Sequence, residues 1–210
     1  MNRPVSTRPG LLFIISAPSG AGKTSLVNAL LQSQPELKAS ISHTTRPRRP
    51  GEKDGVDYYF LDKPRFETLI AQGSFLEYAQ VFDHFYGTSR HWVSEQLDQG
   101  RDVILEIDWQ GARQVRAALP RAISIFILPP SYQALGQRLR RRGRDTEEII
   151  ERRMRDAVNE ISHYAEYDYL LVNDDFASAF AGLQAIIQAS RLKIEVQRRS
   201  LAPLLQALIA

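Results

Sequence analysis

The chain has 210 residues, contains no cysteine and carries a formal net charge of +3 at pH 7. The lack of cysteine excludes disulfides, thiolate zinc sites and cysteine nucleophiles. The length is that of one domain with a substantial hydrophobic core. A small positive excess suits an anionic ligand without requiring nucleic acid. These properties agree with a soluble intracellular enzyme, which we expect to be cytoplasmic and to act on small molecules without a nucleic-acid or membrane partner.

The first predicted element is a strand over the apolar residues 11–15, which leads into a glycine-rich turn and then a helix-forming stretch. Glycines in such a turn allow backbone N–H groups to converge on a phosphate at a helix N-terminus. Lys23 would then reach the β- and γ-phosphates, and Thr24 would offer its hydroxyl to Mg²⁺. The strict motif begins with glycine, whereas this chain has Ala17, which the turn tolerates where φ is negative. The predicted ATP-binding loop consists of Ala17, Pro18, Ser19, Gly20, Ala21, Gly22, Lys23 and Thr24.

Apolar runs rich in β-formers alternate with helical patterns along the rest of the chain. The predicted strands lie at 38–42, 103–107, 122–128 and 169–172. The predicted helices lie near 90–99, 111–118, 131–142, 146–165 and 176–198. Runs that are apolar on both faces are typical of a buried parallel sheet. The order predicts a doubly wound α/β core with helices on both faces of a parallel sheet.

The segment from about 42 to 90 interrupts this alternation. It opens with a proline-rich stretch that disfavours a helix, and it continues with tyrosines, arginines and one helical pattern at 63–72. We interpret it as an inserted lobe of short strands and one helix. The alternative is an ordinary loop with solvated arginines and core tyrosines.

A second arginine-rich stretch lies at 138–144, ahead of a predicted helix whose N-cap is Thr146. It has three interpretations: a nucleic-acid patch, a solvated helix face, or arginines that close on phosphates. An enzyme that transfers a phosphoryl group needs cations around that group, which favours the third interpretation.

The two ends of the chain are expected to lie outside the core. Residues 1–9 are predicted to form a flexible N-terminal arm. The apolar residues 201–210 are too few to span a membrane. We predict a helical C-terminal tail over 191–210 that packs on the body of the protein or on another subunit, so that a homo-oligomer is one expectation.

Several motifs, taken in order from about residue 10 to 190, together resemble the guanylate kinase family. The matching stretches are residues 16–24, 42–52, 55–60, 75–79, 86–88, 106–111, 138–143 and 172–175. The resemblance implies a P-loop NTPase core, a GMP-binding lobe over about 42–90 and a helical lid over about 138–160. It also implies transfer of the γ-phosphoryl group of ATP to GMP, with Mg²⁺ bound together with ATP.

The resemblance further assigns roles to individual positions. The positions on the GMP side are Ser42, Arg46, Arg49, Glu52, Tyr58, Glu77, Tyr86, Thr88 and Asp108. The catalytic, phosphate-handling positions are Lys23, Arg46, Arg138, Arg142 and Arg153. Asn173 matches a position near the adenine of ATP. Thr88 stands where some members carry serine, and its hydroxyl is retained.

These assignments agree with the chemistry of the substrates. Guanine presents N1–H and a 2-amino group side by side, and the Glu77 carboxylate can accept both, whereas adenine has no such pair of donors. Ser42 and Thr88 can donate to O6 or N7. Arg46 and Arg49 can bind a monophosphate bidentately. The nucleophile is a phosphate oxygen that is already anionic, so no general base is needed.

Two other functions fit parts of the sequence. One is a non-catalytic interaction domain related to guanylate kinase, although the intact phosphate loop argues against it. The other is a P-loop kinase for a different acceptor, such as AMP, a pyrimidine nucleotide or a sugar, and the presence of Glu77, Ser42 and Thr88 argues against that.

Overall fold

The structure is a computed structural model, and it describes residues 8–81, 83–141, 143 and 146–209. The strands are β1 (Leu12–Ser16), β2 (Lys38–Ala39), β3 (His43–Thr44), β4 (Tyr59–Phe60), β5 (Phe75–Val81), β6 (His84–Ser89), β7 (Val103–Glu106), β8 (Ile123–Leu128) and β9 (Tyr169–Val172). The α-helices are α1 (Lys23–Ser33), α2 (Lys63–Ala71), α3 (Arg90–Asp98), α4 (Trp109–Ala118), α5 (Tyr132–Arg141), α6 (Glu147–Ser162), α7 (Phe176–Arg191), α8 (Ile194–Ser200) and α9 (Ala202–Ile209).

The central sheet has five parallel strands in the order β2-β7-β1-β8-β9. All five residues of β1 are buried because helices cover both faces of the sheet. On one face, α1 and α7 contribute to a core cluster with Phe13 and Ile125. On the other face, α3 and α4 pack against Leu12, Ile14 and neighbouring apolar residues. The doubly wound α/β architecture predicted from the alternation is therefore confirmed.

A second, smaller sheet lies between residues 43 and 89, in the order β4-β3-β6-β5. Its β5–β6 and β3–β6 pairs are antiparallel. The ring of Phe66, on α2, stacks on Phe75 and Phe85 and fills the space against the sheet. The sheet is joined to the core through α4, whose Gln114 side chain exchanges hydrogen bonds with the backbone of Tyr78. This small sheet thereby stands beside the carboxyl end of β7, from which α4 begins.

One helix and one strand differ from the prediction in their bounds. The pattern at 176–198 is not one helix, because α7 ends at Arg191 and α8 begins at Ile194. Lys193 adopts an extended ψ of 142°, and Gln197 donates its side-chain amide to the Arg191 carbonyl left at the helix end. The predicted strand at 38–42 is reduced to Lys38–Ala39.

The C-terminal helices differ in how they pack. Val196 of α8 is buried, whereas none of the residues of α9 is buried, and Ile209 is 84% exposed. In this chain alone, α9 therefore does not pack on the core, and contact with another subunit stays a prediction. The predicted N-terminal arm lies largely outside the described residues. Across the ranges that the structure describes, no helix combines the length and the apolar character needed to cross a membrane.

Candidate active site

The phosphate-loop motif lies between the end of β1 and the start of α1. Gly20 and Gly22 have φ values of 101° and 95°, a left-handed backbone that side chains with a Cβ rarely adopt. Gly22 is the N-cap of α1, so Lys23 and Thr24 occupy its first turn. The loop amides and the helix N-terminus together make the kind of site that binds anions.

Two side chains from distant parts of the chain hold this loop. The Asn173 amide, which is buried at the end of β9, donates a hydrogen bond of 2.7 Å to the Ala21 carbonyl. Arg138 of α5 donates to the Ala21 carbonyl at 3.3 Å and to the Asn173 carbonyl at 2.8 Å. A Cβ at Gly22 would overlap the Asn173 amide nitrogen, which gives this glycine a steric reason in addition to its φ. The sequence motifs did not indicate that Asn173 and Arg138 bind the loop itself, and their contacts to ATP stay a prediction.

One group of predicted GMP-side residues assembles around Arg46. Its guanidinium donates a hydrogen bond of 2.6 Å to Glu52 and lies 5.3 Å from the centre of the Tyr58 ring. The Tyr58 and Tyr86 rings meet edge to face at 6.0 Å. The hydrogen bond from Arg46 lowers the pKa of Glu52, so this carboxylate stays charged and orients the arginine.

A second group surrounds Glu77 on β5. The Thr88 hydroxyl, on the neighbouring strand β6, donates a hydrogen bond of 2.5 Å to Glu77 Oε1. Glu77 is only 4% exposed, and burial raises its pKa to about 7, with a further rise from the charge of Asp108. Asp108 is the N-cap of α4 and accepts the backbone N–H of Gly111 at 2.9 Å.

The two groups share one face of β6. Tyr86 and Thr88 are two residues apart on this strand, so their side chains point to the same side. The Arg46 group and the Glu77 carboxylate therefore lie along one surface. On β6, the Cα atoms of Tyr86 and Thr88 are about 7 Å apart. A nucleotide could place its base at one end of this surface and its phosphate at the other.

The other predicted site residues belong to neither of these two groups through a side-chain contact described above. The Ser42 carbonyl accepts the Tyr59 amide, and the Arg49 amide donates to Glu52 while its side chain is exposed. Arg153 lies half-buried on α6. Arg142 lies outside the described residues, and its role stays a prediction.

Glu160 of α6 is a candidate site residue that the sequence motifs missed. Burial raises its pKa to about 7, against the attraction of Lys23, and the charges of Asp108 and Asp156 add to the rise. A hydrogen bond from the Ser19 backbone opposes it. Glu160 is therefore close to Ser19 of the loop, and its charge interacts with Lys23 and Asp108. The signal available in the sequence was the pair of acidic residues four apart on one face of α6.

Known proteins similar to this chain belong to the family that the sequence motifs resemble. The model of the guanylate kinase family matches residues 10–190. Over 201 residues, the chain is 61% identical to a guanylate kinase of Alkalilimnicola ehrlichii, covering 96% of this chain and 99% of that protein. It is also 61% identical to a guanylate kinase of Methylococcus capsulatus, with coverage of 96% and 97%.

The fold agrees with a solved structure as well. A crystal structure of guanylate kinase from Anaplasma phagocytophilum superimposes with a TM-score of 0.75 at 36% identity, and the match covers 89% of this chain and 88% of that one. The family predicted from the motifs is confirmed: the chain belongs to the guanylate kinase family.

Proposed function

We propose that the protein transfers the γ-phosphoryl group of ATP to GMP and produces ADP and GDP. The observation that carries this proposal is the buried Glu77 carboxylate, which Thr88 orients on the same face of β6 as the Arg46 group. A phosphate loop alone is compatible with many kinases, whereas this carboxylate selects a base that offers two adjacent donors.

Glu77 accounts for the choice of guanine. Its carboxylate can accept both N1–H and the 2-amino group of guanine, which compensates for the loss of its own hydration. Adenine offers no such pair of donors and would leave a buried carboxylate unpaired. A site built in this way rejects the analogue that lacks the donors more strongly than an apolar pocket could.

The Arg46 group accounts for the acceptor phosphate. Arg46 is already oriented by Glu52, and Tyr58 and Tyr86 lie beside it with hydroxyls that can donate. A guanidinium held in this way binds a phosphate at little further cost in conformational entropy. The acceptor oxygen is anionic at neutral pH, so the protein has only to position it and to neutralise charge.

The phosphate loop accounts for the donor. Its amides would cradle the phosphates of ATP, and Lys23 would neutralise charge on the transferring group. The Thr24 side chain is exposed at the start of α1, where its hydroxyl could bind Mg²⁺ alongside the phosphates of ATP, as in other phosphate-loop enzymes. The described ranges contain no group of three or more acidic or histidine side chains that could hold a metal ion by themselves. Mg²⁺ bound with ATP would supply charge neutralisation at the phosphates.

Helices α5 and α6 would form the lid of the active site. Helices α5 and α6 pack together through Leu135, Leu139 and Met154, and they carry Arg138 and Arg153. Their closure over the phosphates would exclude water and suppress hydrolysis of ATP.

Both proposed substrates are small, soluble nucleotides, so we place the protein in the cytoplasm, with no nucleic-acid or membrane partner. A homo-oligomer would form through α9, where the apolar side chains of Leu208 and Ile209 are exposed.

A coupled assay of ADP release with GMP, AMP, CMP and UMP as alternative acceptors tests the proposal. We expect efficient turnover with GMP and much weaker turnover with the other three. A comparable rate with AMP or a pyrimidine nucleotide would contradict the proposed role of Glu77. A folded protein that is inactive with every acceptor would instead favour the non-catalytic interaction domain.

A further inference from the structure

Gly111, the third residue of α4, lies directly against the Glu77 carboxylate. A Cβ on Gly111 would overlap Glu77 Oε2 and would lie 3.0 Å from Cδ and 3.4 Å from the Ile107 Cβ. The backbone of Gly111 is helical, so its conformation does not require glycine. Alanine would also be the better helix former. The reason for glycine at this position is therefore steric, and the group that needs the space is the Glu77 carboxylate.

The backbones on the two sides of this contact cannot move apart easily. Glu77 is held by the 2.5 Å hydrogen bond from Thr88 and is almost completely buried. The residue that follows it, Tyr78, is fastened to α4 because the Gln114 side chain donates to its carbonyl at 2.7 Å and accepts its amide at 3.2 Å. Strand β5 and helix α4 are thus locked together next to the contact. A methyl group at position 111 would be accommodated mainly by rotation of the carboxylate.

We propose that Gly111 is a positioning residue for base selection, and that the lack of a side chain there sets the plane of the Glu77 carboxylate. This inference rests on the proposed function. Two donors of guanine can be accepted together only if the two carboxylate oxygens lie in one plane with the edge of the base. The Thr88 bond orients Oε1, and the surface of Gly111 leaves the space that Oε2 occupies. Rotation would withdraw Oε2 and remove the second bond.

Substitution Gly111→Ala tests the inference in the full-length protein. We expect KM for GMP to rise about tenfold or more, as for a misplaced binding group, while KM for ATP stays within about twofold. The ratio of kcat/KM for GMP to that for AMP should fall, because adenine gains little from the carboxylate.

Gly182→Ala is the matched control. It also adds a methyl group to a helical glycine, at 2.9 Å from Leu171 Cδ1, but on α7 and away from Glu77. We expect it to leave the GMP-to-AMP preference unchanged. A preference that stays unchanged in Gly111→Ala as well would overturn the inference.

A double-mutant cycle separates positioning from general disruption. If Gly111 acts through the carboxylate, Gly111→Ala should alter the preference by less than about twofold when Glu77→Gln is already present. Independent, multiplying effects of the two changes would overturn the inference. For variants too unstable to assay, the melting temperature replaces activity: Gly111→Ala should lower Tm in the natural background but not in Glu77→Ala, and equal losses in both would contradict the steric argument.

The proposed function and the role of Gly111 can be refuted separately. Absence of GMP turnover in the unmodified protein would refute the proposed function, whereas the comparison of melting temperatures would still test the contact between Gly111 and Glu77. Normal turnover with an unaffected Gly111→Ala variant would refute only the role of Gly111.

Discussion

The Thr88 hydroxyl donates a 2.5 Å hydrogen bond to Glu77 Oε1 across the β5–β6 pair, in a pocket where Glu77 is 4% exposed. This bond orients a carboxylate that burial has made unusually easy to protonate, since its pKa is raised to about 7. Such a group is costly to the unliganded protein and useful only when a ligand satisfies it. The relationship therefore predicts effects on both specificity and stability.

Glu77→Gln should weaken the use of GMP by about 2–4 kcal/mol in kcat/KM, the scale of a lost charge-assisted hydrogen bond in a buried site. AMP should be affected far less, so the GMP-to-AMP preference should shrink. Inosine monophosphate, which lacks the 2-amino group, should already be a poor substrate of the unmodified protein. The measurement is kcat/KM for the three nucleotides with both proteins.

Glu67→Gln serves as the control for this change, because Glu67 is an exposed residue of α2 that forms an ion pair with Lys63. It should leave the three kcat/KM values unchanged. An unaltered preference in Glu77→Gln would mean that the base is recognised elsewhere.

The same substitution should stabilise the unliganded protein at alkaline pH. The folded state raises the pKa of Glu77 from 4.5 to about 7, so it binds the proton more tightly than the unfolded state does. The free energy of unfolding therefore falls as pH rises through this window, and the full cost is present above pH 7. Glu77→Gln should gain about 3 kcal/mol at pH 8 relative to the unmodified protein, and the gain should vanish near pH 4. Urea unfolding at both pH values measures this, and a gain that is the same at both would contradict the pKa shift.

Lys23→Ala should lower kcat by roughly 10²-fold or more, because a preorganised cation at the transferring phosphoryl group would be lost. Lys23 begins α1 with its side chain partly exposed, so the fold should survive, and Tm should change little. Lys38→Ala, which removes an exposed ammonium bonded to the Pro35 carbonyl, is the control. Near-normal turnover in a folded Lys23→Ala protein would refute the kinase mechanism.

Arg142→Ala should depress kcat strongly and leave GMP affinity in the free protein almost unchanged, if this arginine meets phosphates only when the lid closes. The neighbouring Arg141→Ala is the control. Isothermal titration with GMP and steady-state kinetics separate the two effects. Salt-sensitive oligonucleotide binding by the unmodified protein, with unaltered turnover in Arg142→Ala, would support the nucleic-acid interpretation of this cluster instead.

Asp102→Asn should destabilise the fold by about 3–5 kcal/mol, as expected when one partner of a buried ion pair is removed. The Asp102 carboxylate is 2% exposed and accepts hydrogen bonds from Arg8, Arg191 and the Leu11 amide. Burial alone would raise its pKa, but the bonds from Arg8, Leu11 and Arg191 outweigh it and hold the pKa below the ordinary 3.8.

The pH dependence of this contribution follows from the lowered pKa. The stabilisation is fully present above pH 3.8 and is lost as pH falls through the folded-state pKa. Urea unfolding at pH 7 should thus show the full difference between Asp102→Asn and the unmodified protein, and the difference should narrow at pH 3. Asp98→Asn, at the end of α3, should have little effect at either pH. A difference that does not change with pH would place the cause in packing rather than charge.

Features encoded in contiguous residues were accessible from the sequence alone. The strand, glycine turn and helix of residues 12–33 follow from local periodicity and from glycines that tolerate positive φ. The parallel core follows from apolar runs separated by helices, because such runs must be covered on both faces. The family followed from several short motifs in a fixed order, and the assignment of individual site residues rests on the same motifs.

Features that depend on contacts between distant residues required the tertiary structure. Asn173 holds the carbonyl of Ala21, which precedes it by 152 residues, and no local pattern indicates that pair. The raised pKa of Glu77 and the space left by Gly111 arise only when α4 packs against β5. Local sequence determines backbone preference and periodicity, whereas desolvation and steric exclusion depend on which neighbours fill the space around a group, and only the folded chain decides that.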